Sequence, residues 1–318
     1  MTPREKYRLL CAREESIPLF SRDWWLDIVC GQSNWDVILV EQKDKIVAAM
    51  PLYKPLPNVV SMPSYTQAMG IWFPEESADS KYTTILGKRQ MLCKALIDSL
   101  GSYSSFLQRL PYSFTDWLPF YWEGFKQTTR YTYILQNINN KERLWEEMAV
   151  NTRRNITKAK EKNGIVVKRG ISIPDFMRVL KATFQRQNMS VPKDLQLLKQ
   201  IIEVCRERQQ GDIWGGYDKD GKLHAAVFII WQKSSAYYIA GGGNPAVRDS
   251  GAHSLVMWKA IQEVSHHTLT FDFEGSMLPG VERFFREFGA RQMPYFTITK
   301  GNLSLLQKIR IKLRSNPT

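Results

Sequence analysis

The sequence is poor in the residues that bind metals and form cross-links. Its 318 residues include four cysteines and four histidines. Cys11, Cys30, Cys93 and Cys205 are scattered, with no CxxC or Cys/His ligand spacing, so they read as core or incidental thiols in a reducing compartment. His266 and His267 are adjacent, and on a helix would point about 100° apart, so they do not readily share a metal; no metal site is expected. Long apolar runs are absent too. The longest, Leu223–Trp231, is interrupted by His224 and falls well short of the roughly 20 residues that cross a bilayer as a helix. The opening stretch MTPREKYRLLCAREESIP lacks the apolar core of a signal peptide. A cytoplasmic protein is expected.

Positive charge, in contrast, is abundant and concentrated. The formal net charge is +13. Residues 151–170 hold seven basic residues against Glu161 alone, and residues 300–318 hold five with no acid. Such patches favour polyanions: a nucleotide cofactor, tRNA or an anionic membrane surface. The plainer alternative is a solvated helix face and a basic tail. In the tail, Leu305, Leu306, Ile309 and Leu313 share a helical face with basic residues between them. Residues 301–318 are therefore either an interfacial helix at the inner membrane face or a helix that closes the core. The hydrophobic fraction of 43% and charged fraction of 24% belong to a globular chain long enough for two domains.

The most informative stretch runs from Ala236 to Ala290. A strand-like segment ends in Gly241-Gly242-Gly243, a loop follows with Arg248, Asp249, Ser250, Gly251, Ala252 and His253, and an apolar-periodic helix then carries Leu255, Val256, Trp258, Ile261 and Val264. Helix-start amides attract anions, and glycine lets a ligand approach the backbone. A second strand bears Asp272 and Glu274, and a short aromatic helix ends at Gly289. Strict alternation would place Asp272 and Glu274 on one face, where two carboxylates would raise one pKa. That layout suits a phosphate-bearing ligand held beside a general base. A purely structural turn accounts for the glycines equally well.

The two halves look like distant copies. Trp35-DVILVEQKDKIVAAMPLYK and Asp212-IWGGYDKDGKLHAAVFIIWQ align at an offset of 177, each as strand, polar turn and strand. Phe120-YWEGFKQTTRYTYIL matches Phe284-FREFGARQMPYFTIT at an offset near 164. Between the pairs, helices are expected over 141–163, 174–188 and 194–209, with strands at 165–168 and 294–299. In the first half a helix is expected over 87–100, with 62–73 irregular. The result is a mixed α/β layout around a sheet.

This element order, with Arg248-x-x-Gly251-x-His253 at the strand-to-helix turn, resembles the GNAT acyltransferase superfamily. The duplication, the phrases FDFEGS and FFREFGA, and the stretch TRRNITKAKEKNGIVV are similar to its FemAB-like branch of acetyltransferases and peptidyltransferases. The resemblance implies two tandem GNAT-like domains, at 1–138 and 139–300, each a mixed splayed sheet flanked by helices, with 301–318 as a basic tail. It implies an acyl donor, acyl-CoA or alternatively aminoacyl-tRNA, held by Gly242, Gly243, Asn244, Arg248, Ser250, Gly251, Ala252 and His253. The acceptor would be an amine on a sugar, peptide or lipid-linked envelope precursor. Arg248 and Gly251 match the family turn, while His253 stands where Gly or Ala is usual. The aromatic helix carries Phe284, Phe285 and Phe288 where many members place a tyrosine, so the proton donor falls to Tyr237, Tyr238 or water.

The attacking amine needs a base, for which Glu274 and Asp272 are the candidates; the alternatives are helix caps or partners of arginine. Amides near Gly242 and Gly243 would stabilise an oxyanion. Asn244 is equally an ordinary turn starter, Arg248 a surface ion-pair partner, and His253 a packed helix-start residue. Three functions compete: an acyl-CoA-dependent N-acyltransferase, an aminoacyl-tRNA-dependent peptidyltransferase whose 151–170 stretch meets tRNA, and a lapsed scaffold protein, suggested by His253 and the missing tyrosine.

Overall fold

A computed structural model describes residues 1–186 and 194–314. The chain forms two compact units, one of residues 1–130 with 294–318 and the other of 131–293. The first unit opens with helices α1 (Pro3–Arg13) and α2 (Asp23–Cys30), followed by strands β1 (Trp35–Gln42), β2 (Lys45–Leu56) and β3 (Val59–Ser61). Helix α3 (Tyr82–Asp98), strand β4 (Ser105–Arg109) and helix α4 (Leu118–Trp122) complete this run. Strand β5 (Lys126–Gln136) leads into the second unit, with helices α5 (Lys141–Glu147) and α6 (Val150–Thr157), strand β6 (Val166–Arg169), and helices α7 (Ile173–Arg186) and α8 (Leu195–Glu207). Then come β7 (Gly211–Tyr217), β8 (Leu223–Trp231), β9 (Ala236–Gly243), α9 (Ala252–Val264), β10 (Thr270–Asp272) and α10 (Pro279–Arg286). Strand β11 (Arg291–Gly301) returns to the first unit, which ends in α11 (Leu305–Arg314).

Both units use one plan. In the first, β1, β2 and β3 pair antiparallel and β3 pairs β4 in parallel. In the second, β7, β8 and β9 pair antiparallel and β9 pairs β10 in parallel. The closing strands are exchanged. β5, encoded after the first unit's α4, pairs antiparallel with β10; β11, encoded after α10, pairs antiparallel with β4. The units therefore divide at 130/131 rather than 138/139, and residues from Pro294 onward rejoin the first unit. Hydrophobic alternation identifies a strand but not its pairing partner, so the exchange is invisible in the sequence.

Local chemistry explains the elements. Strand β8 is buried along its whole length, as expected of a strand covered on both faces. On one face α9 buries Leu255, Val256, Trp258, Ile261 and Val264 with Ala225, Val227 and Ile229. On the other, Phe176 of α7 meets Phe228 edge-on at 6.4 Å. In the first unit Leu92, Cys93, Leu96 and Ile97 of α3 pack with Met50, Leu52 and Phe106. All four cysteines are buried free thiols, and burial pushes Cys11, Cys93 and Cys205 up to about 12.

Several sequence expectations change. The helix expected over 141–163 breaks where Met148 and Ala149 turn extended, because the Ala149 amide donates to the Glu287 carbonyl at 2.9 Å. The expected end of the α7 segment, Asn188, lies outside the described residues, as do 315–318. Leu305 and Leu306 are 73% and 69% exposed, so these two leucines do not close the core. No described helix is long and apolar enough to cross a membrane.

Candidate active site

The second unit contains a cleft of about 640 Å³ beside the C-terminal half of β9. Its origin is the short parallel pairing of β9 with β10. Only Ala236 and Tyr237 register with Phe271 and Asp272, and β10 ends there while β9 runs on to Gly243. Residues Tyr238 to Gly243 therefore keep β8 on one side and are not registered to β10 on the other. A bulge sharpens the opening: Ile229 registers with Tyr238 and Phe228 with Ala240, leaving Ile239 as the extra residue.

All eight sequence-predicted donor residues line this cleft, and so does Tyr238. Gly242 is required by contact, since a Cβ there would lie 2.3 Å from Thr183 Oγ1. The Gly243 amide donates to the same hydroxyl at 3.0 Å. That hydrogen bond removes Gly243 from the expected oxyanion pair. Asn244 accepts from the Ala246 amide at 3.1 Å and starts the turn. Gly251 caps α9 in the left-handed region, with φ 75°, and a Cβ would sit 2.3 Å from the Asn155 carbonyl. Ser250 Oγ accepts from the Ala252 amide at 3.3 Å, while Asn163 donates to the Ser250 carbonyl at 2.9 Å. Arg248 is exposed at the cleft. His253 lines the cleft with its ring against Phe284 of α10, 4.9 Å between centroids.

The carboxylates sit elsewhere, and neither lines the cleft. Asp272 ends β10 at the fork, opposite Tyr237, and is 2% exposed. Its Oδ1 accepts from the Thr132 hydroxyl and, at 2.7 Å, from the Glu274 amide. Burial pushes its carboxyl from 3.8 up to about 7, against the pull of those two hydrogen bonds. The raised value thus comes from desolvation rather than from a neighbouring carboxylate. Strand geometry ends at Asp272, and Glu274 has φ 58°, so the strand alternation that would align the two carboxylates does not extend to it. Tyr238 packs edge-on against Phe285 at 5.9 Å. Its hydroxyl lies 2.5 Å from where a Gly241 Cβ would be, and burial raises its pKa.

Among the polar cleft residues, Asn155, Thr183, His224 and Ser254 were not singled out as site residues by the sequence, and Lys158 entered only as one of the cations of 151–170. Asn155 and Lys158 come from α6 and the wide turn after it, which pack beside α9. His224 is buried on β8, with Nε2 2.9 Å from Asp218 Oδ2; its one signal was a histidine inside the longest apolar run. Among the described residues no group of His, Cys, Asp and Glu could hold a metal ion.

Residues 137–286 match the family model described as "Acetyltransferase (GNAT) domain". Among solved structures, FemX is similar at TM-score 0.67 and 12% identity, with 98% of each chain covered. The C-terminal domain of a putative lysylphosphatidylglycerol synthetase from Agrobacterium fabrum follows at 0.55 and 11%, with 96% of each chain covered. L-PGS from Bacillus licheniformis stands at 0.52 and 12%, covering 99% of this chain and 97% of that one. No curated protein matches the sequence. Residues 137–286, which contain the cleft at the β9–β10 fork, thus match a GNAT acetyltransferase domain, and the chain as a whole shares its fold with FemX.

Proposed function

We propose that the second unit binds an acyl-CoA and passes its acyl group to an amine of a cell-envelope, sugar or peptide precursor. The observation that carries this reading is the 640 Å³ cleft, within the roughly 300–1,000 Å³ of small-molecule sites. It joins an unpaired strand edge, a bulge and a glycine-capped helix start in one groove. The strand edge suits the amide-bearing arm of the donor. The α9 N-terminus and Arg248 suit its pyrophosphate. A backbone amide of the β9 edge is the proposed donor to the carbonyl oxygen as it gains charge.

In the transfer, the amine nitrogen bonds to the thioester carbon, the C–S bond breaks and the thiolate leaves. With the amine attacking in its neutral form, Asp272, buried at the fork outside the cleft lining, is the proposed final acceptor of the one proton that the nitrogen sheds as the amide forms, passed to it through water rather than by contact, because its carboxyl titrates near neutrality. Glu274, half-buried next to it, is the proposed anchor for the amine. Tyr238 is proposed to hydrogen-bond the leaving sulfur. Its raised pKa makes full proton transfer uphill, so the thiolate departs as such.

A second reading takes aminoacyl-tRNA as the donor, with the cations of α6 meeting its phosphates. Transfer of an aminoacyl group to a lipid-linked acceptor would accord with the name of the lysylphosphatidylglycerol synthetase neighbour. A thermal-shift series separates the two donors. The expected result is a concentration-dependent rise in melting temperature with CoA and acetyl-CoA. Stabilisation by aminoacyl-tRNA alone would transfer the proposal to the second reading.

A further inference from the structure

Helix α6 carries a face that packing does not explain. Thr152 and Ile156 are buried, and α6 packs against α9. Val150, Arg153, Arg154, Thr157 and Lys158 recur at the i, i+3, i+4, i+7, i+8 spacing of a single helical face, and together with Trp145 they line a shallow, open surface depression of about 490 Å³. Val150 is 51% exposed there. Trp145 is half-buried, its ring resting on Trp258 with centroids 5.9 Å apart. Among the described residues Arg153, Arg154 and Lys158 have no acidic partner within ion-pair distance. Lys158 also lines the donor cleft, so one side chain is common to both spaces.

From this arrangement we infer that the open α6 depression receives the 3′-phosphoadenosine end of the donor, with the base against Trp145 and Val150 and the 3′-phosphate among Arg153, Arg154 and Lys158. The inference rests on the acyl-CoA reading and extends it. A flat aromatic floor beside clustered cations suits one base and one phosphate group. A polynucleotide is the weaker fit, because the basic stretch does not form one track. Arg169 pairs with Asp212 at 3.0 Å and lies over Trp214, and Lys168 lies over Tyr217 at 5.4 Å. The uncommitted cations at the depression are three within little more than one helical turn, enough for a compact anion.

Calorimetric titration of the full chain tests the assignment with four probes: CoA, 3′-dephospho-CoA, adenosine 3′,5′-bisphosphate and 4′-phosphopantetheine. Wild-type protein should bind CoA about tenfold more tightly than dephospho-CoA, or about 1.4 kcal/mol, and should bind the bisphosphate alone. The double variant Arg153→Gln/Arg154→Gln should erase the CoA preference while leaving 4′-phosphopantetheine affinity unchanged. Trp145→Ala should weaken CoA and the bisphosphate alike, again sparing 4′-phosphopantetheine, which also shows that the variants are folded. Equal affinity for CoA and dephospho-CoA, without bisphosphate binding, overturns the subsite and leaves the donor reading standing. No CoA binding at all overturns both. Displacement of the bisphosphate by tRNA, from a protein that ignores CoA, overturns the inference in favour of a polynucleotide donor.

Discussion

Asp272 is where chemistry and stability meet in one side chain. Its carboxyl is raised from 3.8 to about 7 by burial, so the folded chain holds a proton that the unfolded chain releases near pH 4. The contribution of this group to stability is therefore fully present below about pH 4. It falls away as pH rises towards 7, reaching an order of a few kcal/mol. Asp272→Asn retains an oxygen for the Thr132 hydroxyl and the Glu274 amide. Urea melts between pH 4.5 and 8 should show a flatter profile for the variant and greater stability than wild type at pH 8. An unchanged slope would remove Asp272 as the titrating group. As the proposed base, the same variant should lose roughly 10²-fold or more in kcat, and wild-type kcat/KM should rise as pH passes about 7. Tyr238→Phe should cost less than about tenfold in kcat, since a phenol raised by burial hydrogen-bonds rather than protonates. Equal losses in the two variants would reverse these roles. The sequence exposed Asp272 and Tyr238 as residue types in a strand pattern. It could not give the burial that sets their pKa values, because burial depends on Thr132 and Phe285, encoded far from their partners.

The glycines around β9 act through elements rather than through chemistry. Gly242 lies where α7 touches the sheet, with Thr183 Oγ1 2.3 Å and the Val179 carbonyl 3.1 Å from a would-be Cβ. Gly251 joins α9 to α6 through its contact with the Asn155 carbonyl, and its φ of 75° adds backbone strain for any other residue. Gly243, next to Gly242, meets nothing closer than the His224 carbonyl at 3.7 Å. Gly242→Ala and Gly251→Ala should each lose stability of order 1–3 kcal/mol, whereas Gly243→Ala should stay within about 0.5 kcal/mol of wild type. Thermal melts of the three variants decide the matter, and equal effects would mean that close packing is not what selects glycine here. The hairpins β1–β2 and β7–β8 were legible in advance because apolar runs around a polar turn are a local signal, sharpened in β7–β8 by Asp220-Gly221. The fork between β9 and β10 was not, since it depends on where register stops, and the bulge at Ile239 leaves no compositional mark.

At the scale of the whole molecule, the net charge of +13 is unevenly committed. Lys300 donates to the Glu123 carbonyl at 2.8 Å and lies over the Phe125 ring at 4.8 Å, which binds that tail cation to the fold. Helix α11 beyond it starts at Leu305 and Leu306, both largely exposed, and Gln307 secures it by donating to Ser104 at 2.8 Å. The sequence of this helix adds Lys308, Arg310, Lys312 and Arg314 without an acid. Exposed leucines followed by basic residues on a tethered helix fit an anionic membrane surface, where each cation contributes about 1 kcal/mol and apolar side chains enter the headgroup boundary. The protein should therefore pellet with vesicles containing phosphatidylglycerol and not with purely zwitterionic ones, and binding should weaken when salt is raised from about 0.1 to 0.5 M. Truncation after Lys300 should abolish pelleting while leaving the CoA-induced rise in melting temperature intact, because the donor cleft belongs wholly to the second unit. Persistent pelleting after truncation would shift the membrane contact to another basic surface. Loss of pelleting through Leu305→Ser/Leu306→Ser, with every charge retained, would show that the leucines insert rather than merely accompany electrostatic attraction.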